Sequence, residues 1–138
     1  MGDLSKYFSR SELQCKCPCG GLQLGEGFIE HLTALRTAWG KPLIPNSCCR
    51  CIAHNKAEGG ASGSFHQMRA KDHTGIDGCV AIDISTIGWS GSDRWHFIAL
   101  AMNHGWSFGI SKKGFIHIDR RADYPGTIYY AQPSAFPY

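Results

Sequence analysis

No apolar run in this 138-residue chain approaches the roughly 20 residues that a membrane-spanning helix needs. The opening, MGDLSKYFSR, lacks the apolar segment of a signal peptide. Lys6 stands where a myristoylation motif wants Ser or Thr, so Gly2 is no lipid acceptor. The chain is therefore expected to be made and kept in a cytoplasm unless something else releases it. A strong excess of one charge is also missing. Fourteen Lys and Arg against eleven Asp and Glu leave a formal +3, too mild and too scattered for a nucleic-acid binder, though compatible with work beside an acidic polymer. Repeats, low-complexity tracts and linkers are absent, so residues 1–138 read as one domain, expected to be a monomer. With 43% hydrophobic and 18% charged residues the composition excludes disorder and allows a real core. Cysteine is abundant and odd in number, at seven. In a reducing compartment these are thiols or metal ligands rather than a disulfide framework.

Local signals set the elements. Ser9 and Glu12 have capping-box spacing and start a short helix. From Glu26 the residues Phe28, Leu32, Leu35 and Trp39 recur at helical spacing until Gly40 and Pro42 stop the helix. PLIPN reads as a short edge strand, because proline is excluded from a central one. CRCIAHNKA suits one or two helical turns, and GGASGS is a loop. In VAIDIS, Val80, Ile82 and Ile84 share one face while Ala81, Asp83 and Ser85 share the other. A second helix is expected from about Asp93 to His104, with Trp95, Ala99 and Met102 inward and Gly105 as its stop. WSFGIS and FIHID follow as strands joined by KKG. The tail, YPGTIYYAQPSAFPY, is expected to wrap the surface as irregular chain. The expected class is α+β: one short antiparallel sheet flanked by helices.

Three segments carry metal-ligand chemistry: SFH ending at His66, AID ending at Asp83, and FIHID around His117. Two imidazoles and a carboxylate fill three tetrahedral zinc positions and leave the fourth open for water, the pattern of a catalytic site. Asp83 lies on the small-residue face of its strand. His117 and Asp119, two residues apart, point the same way about 6.6 Å apart along theirs. Spacing alone leaves alternatives open. Single histidines such as His31, His73, His96 and His104 are more often surface or core residues, and Asp83 equally caps a turn. Two His and one carboxylate also suit a non-haem iron oxygenase.

The order of segments is more specific. LSKYFSRSELQCKCPCGG, GKPLIPNSCCRCIAHNKAEGGASGSFH, VAIDI and GFIHIDRR together resemble the D-Ala-D-Ala carboxypeptidase-like family of zinc peptidases, and within it the short bacteriophage endolysins. The resemblance runs from about Leu4 to Arg121. It implies a zinc metallopeptidase, of carboxypeptidase or L-Ala-D-Glu endopeptidase type, hydrolysing an amide bond in the stem or cross-link peptide of peptidoglycan. Such a bacteriolytic hydrolase would wait in the host cytoplasm before lysis and then degrade the cell wall. The alternative is a catalytically reduced fold that binds wall peptide or another protein.

The family's first metal motif, Ser-x-His-x-x-Gly-x-Ala-x-Asp, matches Ser64 and His66 at its start and Ala81 and Asp83 at its end. About ten extra residues, roughly MRAKDHTGID, stand between, and at the family's own spacing His73 would replace Asp83. AIDI reproduces the motif's Ala and its apolar strand, so the implied zinc ligands are His66, Asp83 and His117. The resemblance also implies that Arg50 faces the substrate and that Ser64 orients substrate or a ligand. Some relatives place a general base three residues before the last His, where this chain has Gly114. Asp119 is then the acid–base candidate, with Asp72 or Asp77 of the insertion next in line, unless Asp119 only orients His117. Cys15, Cys17 and Cys19, with Cys51 and His54, have the ligand types of a closed structural zinc site. Cys48, Cys49 and Cys79 are expected to pack in the core.

Overall fold

The computed structural model describes residues 2–61, 63–68, 76–124 and 135–137. Helix α1 (Arg10–Leu13) begins at Ser9, whose backbone N–H donates to the Glu12 carboxylate at 2.9 Å, closing the expected capping box. Helix α2 (Phe28–Trp39) buries Phe28, Leu32 and Leu35 and stops at Gly40, whose φ of 75° is the left-handed conformation glycine supplies. Strand β1 (Pro45–Ser47) and helix α3 (Ile52–Ala57) follow, then strand β2 (Ala81–Ser85) and helix α4 (Gly91–Asn103). Strands β3 (Ser107–Ile110) and β4 (Phe115–Asp119) form the hairpin, and a 3-10 turn (Arg121–Asp123) comes after it. No helix among the described residues is long and apolar enough to cross a membrane.

The fold is α+β, as expected. The sheet order is β1-β2-β4-β3-β5, antiparallel except for its last pair. β1 takes the edge, where its proline and a register irregularity are tolerated. Ile82, Ile84, Ile116 and Ile118 join Leu32, Leu35 and Phe97 in one buried core. All five residues of β2 are buried, so the strand is covered on both faces.

Two expectations are corrected. Helix α4 is rotated from its predicted orientation: Phe97, Ile98 and Ala101 are buried, while Trp95 (70% exposed), Ala99 and Met102 face outward. Phe97 meets both Trp39 and Trp89 at ring-centroid distances of 5.3 Å, and this three-ring cluster orients the helix. The tail is not wholly irregular, since β5 (Ala135–Pro137) pairs in parallel with β3. The outer edge of β3 presents unpaired backbone groups that a strand can satisfy. The remainder of the tail after Tyr124 lies outside the described residues.

Candidate metal centre and cleft

The sheet register brings two of the three candidate ligands together directly. In the antiparallel β2–β4 pair, Asp83 stands opposite His117. His66 arrives from a loop that is itself fixed by backbone pairing. Arg50 N–H donates to the His66 carbonyl (2.9 Å), Met68 N–H to the Arg50 carbonyl (2.9 Å) and Val80 N–H to the Phe65 carbonyl (3.0 Å). These bonds lay residues 65–68 beside both Arg50 and the start of β2. Asp83 Oδ1 then lies 3.1 Å from His66 Nε2 and 3.0 Å from His117 Nδ1, and the two ring nitrogens are 3.2 Å apart. All three residues are buried.

The outer partners determine which nitrogen carries a lone pair. His66 Nδ1 is 2.7 Å from the Cys48 carbonyl, which can only accept, so Nδ1 carries the hydrogen and Nε2 is left bare. His117 Nε2 donates to Asp119 Oδ2 at 2.8 Å, leaving Nδ1 toward Asp83. Asp119 is fully buried and also accepts from Arg121 through its backbone N–H, Nε and Nη2 at 2.8–3.1 Å. Burial opposes its charge, but His117 and Arg121 together hold its carboxyl below the usual range. Asp83 is likewise held low despite burial, by the two imidazoles. Burial pushes His66 toward its neutral form. For His117 burial acts the same way, yet hydrogen bonding to Asp119 and Asp83 outweighs it and raises its pKa. Two lone pairs and a carboxylate oxygen thus converge on one point where only a cation, a proton or a metal ion, relieves their repulsion. That donor set fits zinc.

Arg50 is fixed on three sides. Its Nε donates to Ser47 Oγ (3.0 Å), Nη1 to Asn55 Oδ1 (3.2 Å) and Nη2 to Asp83 Oδ2 (3.4 Å). Asn55, itself buried, is locked by donating to the Ala61 carbonyl (2.9 Å). Arg50, Ser64, Asp83 and His117 line one open cleft, together with Glu58, Lys112, Lys113 and Arg121. Ser64 Oγ accepts from the His66 N–H at 3.3 Å and so steadies the ligand loop.

Among the described residues two further groups have metal-ligand proximity: Cys15, Cys17, Cys19 and Cys51, and the buried trio Cys48, Cys49 and Cys79. His31, His96 and His104 are exposed, outside the cleft lining. Asp77, also exposed, accepts from Gln23 Nε2 at 2.9 Å and does not line the cleft. His73 and Asp72 lie outside the described residues. Sequence reading missed Asn55 as the brace of Arg50, Arg121 as the partner of Asp119, and the Cys48 carbonyl. The dipeptide ArgArg after FIHID signalled the second; the first and third have no sequence signal.

A comparison with curated proteins gives no match. The family model described as Peptidase M15 matches residues 6–119, from the segment before α1 to the last residue of β4. It therefore spans Arg50, His66, Asp83, His117 and Asp119 in a single alignment. With most of its length so matched, the chain belongs to the Peptidase M15 family and is a metallopeptidase.

Proposed function

We propose that this metallopeptidase is zinc-dependent, with His66, Asp83 and His117 as ligands, and that it hydrolyses an amide bond in the peptide part of peptidoglycan. The observation carrying the reading is the convergence of His66 Nε2, His117 Nδ1 and Asp83 Oδ1 at a cleft. Bound there, zinc would supply Lewis acidity toward the scissile carbonyl and an acidified water as nucleophile.

The chain's own residues do the rest. The cleft lining carries four cationic side chains, Arg50, Lys112, Lys113 and Arg121, against Glu58 and Asp83. Arg50 and Arg121 are paired with Asp83 and Asp119, which leaves Lys112 and Lys113 against Glu58, so the field at the mouth favours a substrate bearing carboxylates, as wall stem peptides do. Arg50 presents a planar fork held by Ser47 and Asn55, suited to a peptide carboxylate or to the oxyanion that forms on attack. Asp119 sits on the Nε2 side of His117, while Nδ1 faces Asp83. We therefore give Asp119 the positioning role, fixing the His117 tautomer, in place of the proton-accepting role expected from sequence. Glu58 is the one other carboxylate, besides Asp83, among the described cleft residues, and we place proton transfer there. The endolysin role, waiting in a host cytoplasm and acting once the membrane is breached, rests on the sequence resemblance.

The test is mass spectrometry of purified peptidoglycan fragments incubated with the protein, with and without a chelator. New amine and carboxyl termini that appear only without chelator are the expected result. Zinc-loaded protein that binds walls of several chemistries and cuts none of them would make this a binding module instead.

A further inference from the structure

A second cluster lies outside the cleft lining. Cys15, Cys17 and Cys19 occupy the loop after α1, and Cys51 precedes α3. Their four sulfurs lie within 4.8 Å of one another. Cys15 Sγ is 3.5 Å from Cys17 Sγ, which is 3.7 Å from Cys51 Sγ. A tetrahedron of sulfurs around zinc at about 2.3 Å has edges of about 3.8 Å. The Cys15–Cys17 and Cys17–Cys51 separations are close to that edge.

The backbone supplies an independent sign. Each sulfur accepts one main-chain N–H: Cys15 from Cys51 (3.4 Å), Cys17 from Cys19 (3.4 Å), Cys19 from Gly21 (3.4 Å) and Cys51 from His54 (3.3 Å). Four amides aimed at four sulfurs stabilise thiolates, the form that binds metal. The surroundings of the buried trio differ. The Cys49 and Cys79 sulfurs lie 3.7 and 3.3 Å from the carbonyl oxygens of Gln23 and Ala81, and among the described residues no fourth ligand joins them. His54, which sequence spacing also offered, directs its ring to Glu58 at 3.7 Å and contributes only its backbone N–H.

We propose that Cys15, Cys17, Cys19 and Cys51 form a closed tetrathiolate site for a structural zinc ion that clamps the loop after α1 to the start of α3. Four thiols bind one Zn²⁺ and release four protons to solvent, with no change of oxidation state. The clamp has a purpose in this fold. Cys51 directly follows Arg50, and Cys49 N–H donates to the Leu13 carbonyl at 3.0 Å, so the same joint sets the cleft wall. A segment of irregular chain would then be held by metal as well as by the packing of Cys15 in the core.

The test combines metal analysis with zinc X-ray absorption. The wild type should carry two zinc ions per chain, with a shell averaging about two sulfurs per zinc at about 2.3 Å. The His66→Ala/His117→Ala variant should retain one, bound by sulfur alone, and adding Cys17→Ser should remove it. Because a cysteine variant can fail to fold, the wild-type spectrum decides by itself. A shell of nitrogen and oxygen only, or a histidine variant that folds without zinc, overturns the proposal. Neither outcome depends on catalysis, so failure here leaves the peptidase reading standing, and the reverse also holds.

Discussion

Replacing Asp119 by Asn separates two roles that a carboxylate beside a metal can have. The substitution keeps shape but removes the charge that His117 Nε2 meets at 2.8 Å and that Arg121 meets through Nη2 at 2.8 Å. A hydrogen bond to a charged group contributes about 1.5–3 kcal/mol. If most of that energy holds the His117 tautomer, losing it weakens zinc by about 10- to 100-fold, at about 1.4 kcal/mol per factor of ten. The same range is typical for a carboxylate behind a metal-bound histidine. Folding should suffer as well, because Arg121, 17% exposed, loses its counter-ion. Breaking a buried pair costs about 3–5 kcal/mol, which Asp119→Ala should approach and Asp119→Asn should fall short of. Zinc affinity is read by competition with a chromophoric chelator, and stability by thermal unfolding of the zinc-free protein. Unchanged zinc affinity with turnover down by about 10²- to 10⁴-fold would refute the positioning role and restore Asp119 as the general base.

Glu58→Gln should retain full zinc content and lose turnover by about 10²- to 10⁴-fold; cleavage at the wild-type rate would move proton transfer to another group, Asp72 first. His66→Ala, Asp83→Ala and His117→Ala should each strip the cleft metal, as metal analysis will report, whereas His73→Ala should not; the reverse pattern for Asp83 and His73 means that the inserted stretch has been placed wrongly. Arg50→Lys keeps the charge but not the fork, and kcat/KM should fall by about 10²-fold or more, as for removal of one oxyanion donor. An unaffected kcat/KM would take Arg50 out of substrate binding. In α4, Phe97→Ala should destabilise by about 3–5 kcal/mol and Trp95→Ala by no more than about 0.5 kcal/mol, and equal shifts in Tm would contradict the observed helix face.

What could be read without coordinates was local in origin. The SerGlu capping box, the glycine stops at Gly40 and Gly105, and the alternation in VAIDIS follow from rules spanning a few residues, and each element formed where those rules put it. The ligand-bearing segments were legible because SFH, AID and FIHID keep a recognisable order along the chain. Tertiary structure alone decided the rest. Helical spacing allows more than one face of α4 to turn inward, and packing against Trp39, distant in sequence, together with Trp89 just before the helix, selects the face bearing Phe97. Likewise, a two-residue spacing puts His117 and Asp119 on one side of β4 without saying which ring nitrogen meets the acid. That choice depends on Arg121 gripping Asp119 from behind and on Asp83 standing across the ladder. Cys17 and Cys51 are 34 residues apart, and no local spacing shows that they meet. Local preference acts over a turn or a strand, whereas the direction a side chain takes within a buried site is set by whichever distant groups complete its hydrogen bonds.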